Sequence, residues 1–228
     1  MKPVVLLPGY LAGWEPYTDL VKAARAFGVD LHVVPLRWWD WLPTLGGRPV
    51  TPILEALDQT VRRVQQQYGG EKITLIGHSA GGWIGRIYLG DKPYEGRVWA
   101  GVERVERLLT LGTPHRSQER WTRRNLEFVN TAYPGAYYPQ VTYICIAGHA
   151  VQGRPWTFTY ESYRLTVGQG DVWGDGITPV AAAHLEGAMN LTLTGVWHSP
   201  RSPGPWYGAP DVLPQWLPLV TADPVPKR

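Results

Sequence analysis

Residues Lys72 to Arg86 constrain this chain more than any other stretch. Ile73, Leu75 and Ile76 form an apolar, partly β-branched run of the length a buried strand needs. Gly77-His78-Ser79-Ala80-Gly81 follows at once, and a helical pattern begins at Ala80. A strand that turns sharply into a helix, with G-x-S-x-G at the turn, pushes a serine Oγ out above a sheet. The flanking glycines let strand and helix approach closely, and the free N–H groups of the helix start point toward the serine. The expectation is therefore a parallel sheet with a nucleophilic serine at its carboxyl edge.

The flanking pattern extends this frame. Val4 to Leu7 reads as a strand stopped by Pro8-Gly9-Tyr10. A helix is expected from about Trp14 or Pro16 to Phe27, with Gly28 as its C-cap, and a second strand over Leu31 to Pro35. Trp38, Trp39, Trp41 and Leu42 read as a loop closed by Pro43 and Gly46-Gly47. Thr51 is read as the cap of a helix with Pro52 at its first position. Val105 to Leu111 and Val141 to Ala147 read as strands, and Asn190 to Val196 as a strand near a sheet edge. The segment 116–140 reads as a lid or cap excursion, and the Pro- and Trp-rich tail from Pro200 as loop with at most a short helix. Strands alternate with helices, without repeat or linker. That predicts a single α/β domain over residues 1–228.

The bulk numbers exclude several classes. A net charge of +3 with no dense basic run gives nucleic-acid binding little support. The single cysteine, Cys145, forbids an internal disulfide and fits a reducing compartment. No stretch approaches the ~20 apolar residues of a membrane span, and the first apolar run is too short for a signal peptide. The expectation is a soluble, cytoplasmic chain (or a plastid stromal one after loss of a transit peptide). Peripheral contact with a membrane remains open, because the twelve Trp include the Trp38–Trp41 cluster.

A serine hydroxyl needs a base, and the base needs an acid to hold it. The chain has six histidines. His198 follows the last apolar strand and fits the order Ser, acid, His of this fold class. Asp175, in Gly174-Asp175-Gly176, lies between the two and can display its carboxylate on a turn; Asp171 and Glu186 are its rivals. The alternative for Asp175 is a turn that bonds only its own backbone. His115 is the second choice of base and is preferred as a wall of the substrate pocket. Backbone N–H groups of Tyr10 and Ala80 are the expected oxyanion donors, and Tyr10, Trp14, Trp38, Trp39 and Trp83 the expected aromatic lining. No His/Cys cluster suggests a metal, and the chemistry needs no cofactor.

Leu6-Leu7-Pro8-Gly9, Gly77-His78-Ser79-Ala80-Gly81-Gly82, Leu111-Gly112-Thr113-Pro114-His115, Gly174-Asp175-Gly176-Ile177-Thr178-Pro179 and His198-Ser199 occur in that order. The set resembles the lipase-like serine hydrolases of the α/β-hydrolase superfamily. It also resembles uncharacterised hydrolases of cyanobacteria and plant plastids that share the Trp-rich tail. The resemblance implies an α/β-hydrolase fold with a short lid-like insertion. It also implies Ser79, Asp175 and His198 as triad and the Tyr10 and Ala80 amides as oxyanion donors. The chain departs from many lipases in having Pro8-Gly9-Tyr10 where they have His-Gly, and in lacking one long apolar lid helix. Both departures weigh against action on insoluble fat.

Three activities remain compatible with these residues. The first is hydrolysis of carboxylic esters with an apolar acyl or alcohol group. The second is acyl transfer or thioester cleavage by the same triad. The third is a non-catalytic binding protein that keeps the fold.

Overall fold

A computed structural model describes residues 3–222. Six strands form one sheet: β1 (Val4–Leu7), β2 (Leu31–Val33), β3 (Ile73–His78), β4 (Val105–Leu111), β5 (Thr142–His149) and β8 (Met189–Thr194). Their order is β2-β1-β3-β4-β5-β8, and every pairing is parallel. The short β6 (Val151–Gln152) and β7 (Trp173–Gly174) pair antiparallel beside it. The helices are α1 (Thr18–Ala26), α2 (Thr51–Gln67), α3 (Ala80–Leu89), α4 (Arg120–Ala132), α5 (Phe158–Val167), α6 (Val180–Ala183) and α7 (Leu213–Trp216).

Parallel strands need crossovers, so both faces of the sheet are covered. The two-residue side-chain period sorts β1 cleanly: Val5 and Leu7 join one core with α2, α3 and α4, while Val4 and Leu6 join the other with α1 and the C-terminal tail. β3 divides likewise, Leu75 to the first core and Ile76 to the second.

Several expectations change. Trp38–Thr44 is a 3-10 helix, not a loop. Trp41 is its buried anchor, with Nε1 donating to the Ala12 carbonyl at 2.9 Å. Thr51 does not cap α2; the N-cap is Val50, and Thr51 is the first helical residue. The tail is core. Trp206, Tyr207, Leu213, Trp216, Leu217 and Val220 are buried against the second face. Arg107 of β4 donates to the carbonyls of Leu219 and Val220 at 2.9 and 2.6 Å, and Thr74 Oγ1 of β3 to that of Val220 at 3.0 Å.

The 116–140 excursion is mostly an ordinary crossover helix. Leu126 and Val129 of α4 are core residues. Buried Arg86 of α3 donates to Asn130 Oδ1 at 2.9 Å and to the Tyr133 carbonyl at 2.7 Å. At the start of α4 Trp121 is exposed.

Candidate active site

β3 ends at His78, and the chain reverses through Ser79 at φ +52°, ψ −124° before α3 begins. A positive φ is costly for a residue with a Cβ, so the surroundings must enforce it. They do so from two sides. The Ser79 N–H donates to the Leu111 carbonyl at 2.8 Å, and Thr113 Oγ1 donates to the Ser79 carbonyl at 2.7 Å. The glycines are required by close approach: a Cβ at Gly77 would clash with the Gly82 backbone, and one at Gly9 would come within 3.0 Å of Ser79 Cβ. Ser79 is half-buried, and its side chain makes no hydrogen bond among the described residues.

The loop after β1 therefore lies directly against the elbow. The N–H groups of Tyr10 and Ala80 make no hydrogen bond among the described residues. Ala80 is the first residue of α3, where backbone donors have no intrahelical acceptor. The Tyr10 ring packs edge-on against Trp41 at 5.1 Å.

Asp175 is buried at 1% exposure, so each of its oxygens needs partners. Oδ1 accepts the N–H groups of Ile177 and Thr178 at 3.0 and 2.7 Å, which is the self-bonding turn weighed above. Oδ2 faces His198 Nδ1 at 2.7 Å and accepts the Tyr207 hydroxyl at 2.8 Å. The two readings of Asp175 thus hold together: one oxygen fixes the turn, and the other is free to meet the histidine. The His198 N–H donates to the Asp175 carbonyl at 2.9 Å, which locks the two loops in register. Tyr207 Oη also accepts the Gly148 N–H at 2.7 Å, and burial holds this phenol well above its ordinary pKa, as a donor. Thr178 Oγ1 donates to the Gly112 carbonyl at 2.9 Å, tying the acid turn to the loop after β4.

His78 is not over Ser79. It is buried, with Nδ1 2.7 Å from Tyr17 Oη and Nε2 2.8 Å from the His198 carbonyl oxygen. Its ring lies 5.0 Å from that of His198.

The other expected site residues divide. Trp14, Trp38 and Trp39 are surface side chains, exposed by 44%, 56% and 45%. Trp83 and His115 are corrected. Trp83 is 1% exposed and packs in the first core with Ile84 and Ile87. His115 Nε2 lies 3.3 Å from Thr110 Oγ1 and 3.5 Å from Cys145 Sγ, both buried residues of the sheet. It is a core histidine because the turn after Pro114 folds it back over β4 and β5. The rivals Asp171 and Glu186 are exposed, and no hydrogen bond joins either side chain to a histidine among the described residues.

Burial pushes the His78 pKa down to about 3, helped by the neighbouring His198, and burial pushes that of His115 well below its ordinary value, helped by Arg86. In the unfolded chain both rings protonate near pH 6.5. Between that pH and about pH 4 the unfolded state therefore binds protons that the folded state refuses. Each ring then removes up to ~1.4 kcal/mol of stability per pH unit as pH falls. Denaturant midpoints measured from pH 7 to pH 4.5 are expected to drop steadily; a flat profile would contradict the buried, neutral state of the two rings.

Solved structures agree with this architecture. A lipase from Bacillus licheniformis, BlEst2 in its mature form, superposes with a TM-score of 0.65 at 19% identity, over 97% of this chain and 92% of that one. A monoacylglycerol lipase from Paleococcus ferrophilus gives 0.53 at 13% identity, over 94% and 93%. An alpha-beta serine hydrolase homologue from Coxiella burnetii gives 0.52 at 15%, over 97% and 85%. Residues 42–134 match the PGAP1-like alpha/beta domain family. No curated protein sequence matches the chain significantly. Among the described residues no helix is long and apolar enough to cross a membrane. The chain thus has the fold of these lipases and serine hydrolases, a parallel six-stranded sheet with flanking helices, and its middle part is similar to the PGAP1-like alpha/beta domain family.

Proposed function

We propose that the chain is a serine hydrolase of carboxylic esters that works through an acyl-enzyme. The observation that supports this most is the buried pair His198 Nδ1–Asp175 Oδ2 at 2.7 Å, whose His198 carbonyl is in turn bonded to the residue before a strained Ser79. With Nδ1 engaged by the acid, Nε2 is the ring nitrogen left to take the serine proton.

In this reading Ser79 Oγ attacks the ester carbonyl while His198 Nε2 accepts its proton. The oxyanion of the tetrahedral intermediate accepts hydrogen bonds from the Tyr10 and Ala80 amides, which have no other partner among the described residues. A missing donor of this kind costs ~3 kcal/mol of transition-state stabilisation. His198 then protonates the leaving alcohol, and the acyl group stays on Ser79. Water attacks the acyl-enzyme with His198 as base again, and the serine is restored. Asp175 holds the imidazole in orientation and stabilises the imidazolium.

The neighbours of the same fold include lipases, which supports a lipid-like ester as substrate. The exposed Leu11, Trp14, Trp38 and Trp39 beside the Tyr10 loop offer an apolar surface for such a molecule. Leading-edge residues of the 116–140 excursion are the part left to act as a lid. The test is turnover of p-nitrophenyl esters of rising acyl length. The expected result is saturable hydrolysis with kcat/KM rising at least tenfold from acetate to octanoate; a flat response would contradict the apolar acyl site.

A further inference from the structure

The mechanism above leaves Tyr17 and His78 without a role, although both are buried polar side chains beside it. Their hydrogen bonds can be directed without ambiguity. A carbonyl oxygen only accepts, so the 2.8 Å contact from His78 Nε2 to the His198 carbonyl requires the proton on Nε2. Burial keeps the ring neutral, so Nδ1 carries a lone pair and accepts the Tyr17 hydroxyl at 2.7 Å. The same hydroxyl oxygen accepts the Gly9 N–H at 3.0 Å. The result is one directed chain: Gly9 N–H to Tyr17 Oη–H to His78 Nδ1, then Nε2–H to the His198 carbonyl. Its first member precedes Tyr10, the source of an oxyanion donor. Its last is the backbone of the base.

We propose that Tyr17 and His78 are positioning residues, a buried strut that fixes the oxyanion loop relative to the catalytic histidine. The proposal rests on the serine-hydrolase reading and adds to it the device that keeps its two halves in register. Tyr17 comes from the turn leading into α1, His78 from β3 and His198 from the loop after β8, three elements that share no local hydrogen-bond ladder. The β1–β3 ladder holds the chain only as far as Leu7 opposite Gly77, so Gly9 and Tyr10 lie beyond it. The strut adds a hydrogen-bonded restraint at Gly9, beyond the end of that ladder. Tyr17 also packs edge-on against Trp206, at 5.8 Å between ring centroids, so the tail closes over the strut and keeps water from competing for its hydrogen bonds.

Such a strut acts on orientation, which is felt in the transition state more than in substrate binding. Tyr17→Phe deletes the hydroxyl and keeps the ring. The expected result is a kcat lowered by about 10- to 100-fold with KM changed less than threefold. The control is Tyr94→Phe. Tyr94 Oη is equally buried and makes the same two kinds of bond, accepting the Val50 N–H at 2.9 Å and donating to Asn125 Oδ1 at 2.6 Å, on the opposite face of the sheet. It removes comparable stability and is expected to leave kcat within twofold. A Tyr17→Phe enzyme whose kcat matches that of Tyr94→Phe would overturn the proposal. A second readout uses the wild-type protein alone: nitrogen-15 imidazole spectra should show His78 as the neutral Nε2–H tautomer, and an Nδ1–H tautomer would overturn the strut whatever the kinetics. Wild-type turnover with no Tyr17 effect is a failure of the strut alone. Absence of any wild-type turnover is a failure of the hydrolase reading, and the strut falls with it.

Discussion

Ser79→Ala is expected to lower kcat for a p-nitrophenyl ester by about 10⁴- to 10⁶-fold, the range set by loss of a nucleophile that works as one unit with its base. The same substitution is expected to leave stability within about 0.5 kcal/mol. Ser79 Oγ has no hydrogen-bond partner among the described residues, and the strained φ of +52° is the same burden for Ala as for Ser. The separation of the two effects is the informative part. A large activity loss in a protein that unfolds at the same denaturant concentration places the effect in the chemistry and not in folding. Unfolding curves for both proteins, measured beside the kinetics, check this. A Ser79→Ala variant that keeps more than a hundredth of the activity would mean that another group is the nucleophile.

Asp175→Asn is expected to cost about 10⁴-fold in kcat. The reason is donor counting. All four hydrogen bonds at this carboxylate come from donors: two backbone N–H groups on Oδ1, and the Tyr207 hydroxyl with His198 Nδ1–H on Oδ2. An asparagine has one oxygen and one NH2. Whichever way the amide is turned, two donors face its NH2. If the oxygen keeps the backbone pair, His198 can bond only by offering a lone pair at Nδ1. Its proton then sits on Nε2, where the serine proton has to go. If the oxygen turns to His198, the buried turn at Ile177 and Thr178 loses both its bonds, at about 1–3 kcal/mol for each unsatisfied group. Kinetics and an unfolding measurement together separate these: the first case, which is the expected one, costs activity, and the second mainly stability. An Asp175→Asn variant within tenfold of wild-type kcat and with wild-type stability would remove Asp175 from the proposed triad.

The sequence carried the site's skeleton because that skeleton is local. The elbow is five consecutive residues with strong steric demands, and β3 and β4 carry enough apolar residues, between glycine-marked turns, to read as strands. Chain order then led to Asp175 and His198, which the fold brings within hydrogen-bond distance of each other. What the sequence concealed is long-range. Tyr207 meets Asp175 across 32 residues and Tyr17 meets His78 across 61, and no spacing rule links either pair. The tail from Pro200 has no continuous helical or strand periodicity, and its prolines keep its two helices, Leu213–Trp216 and Leu217–Val220, to four residues each. Its tryptophans are buried one by one by tertiary packing, so a segment that reads as loop becomes core. Trp83 and His115 went wrong for the opposite reason. Their proximity in sequence to Ser79 and to a strand end suggested the cleft, yet a helix turns Trp83 toward α3's packing face, and the Pro114 turn folds His115 inward. The Trp38–Trp41 cluster divides by the same geometry, Trp41 inward and Trp38 and Trp39 outward.

The central claim is that Ser79 is a nucleophile activated by its surroundings. The most direct measurement is intact mass after incubation with a fluorophosphonate, followed by mapping of the adduct. The account predicts one phosphonyl group per chain, on Ser79, and none on Ser79→Ala. An unmodified wild-type protein, or an adduct mapped to any other residue, would contradict it.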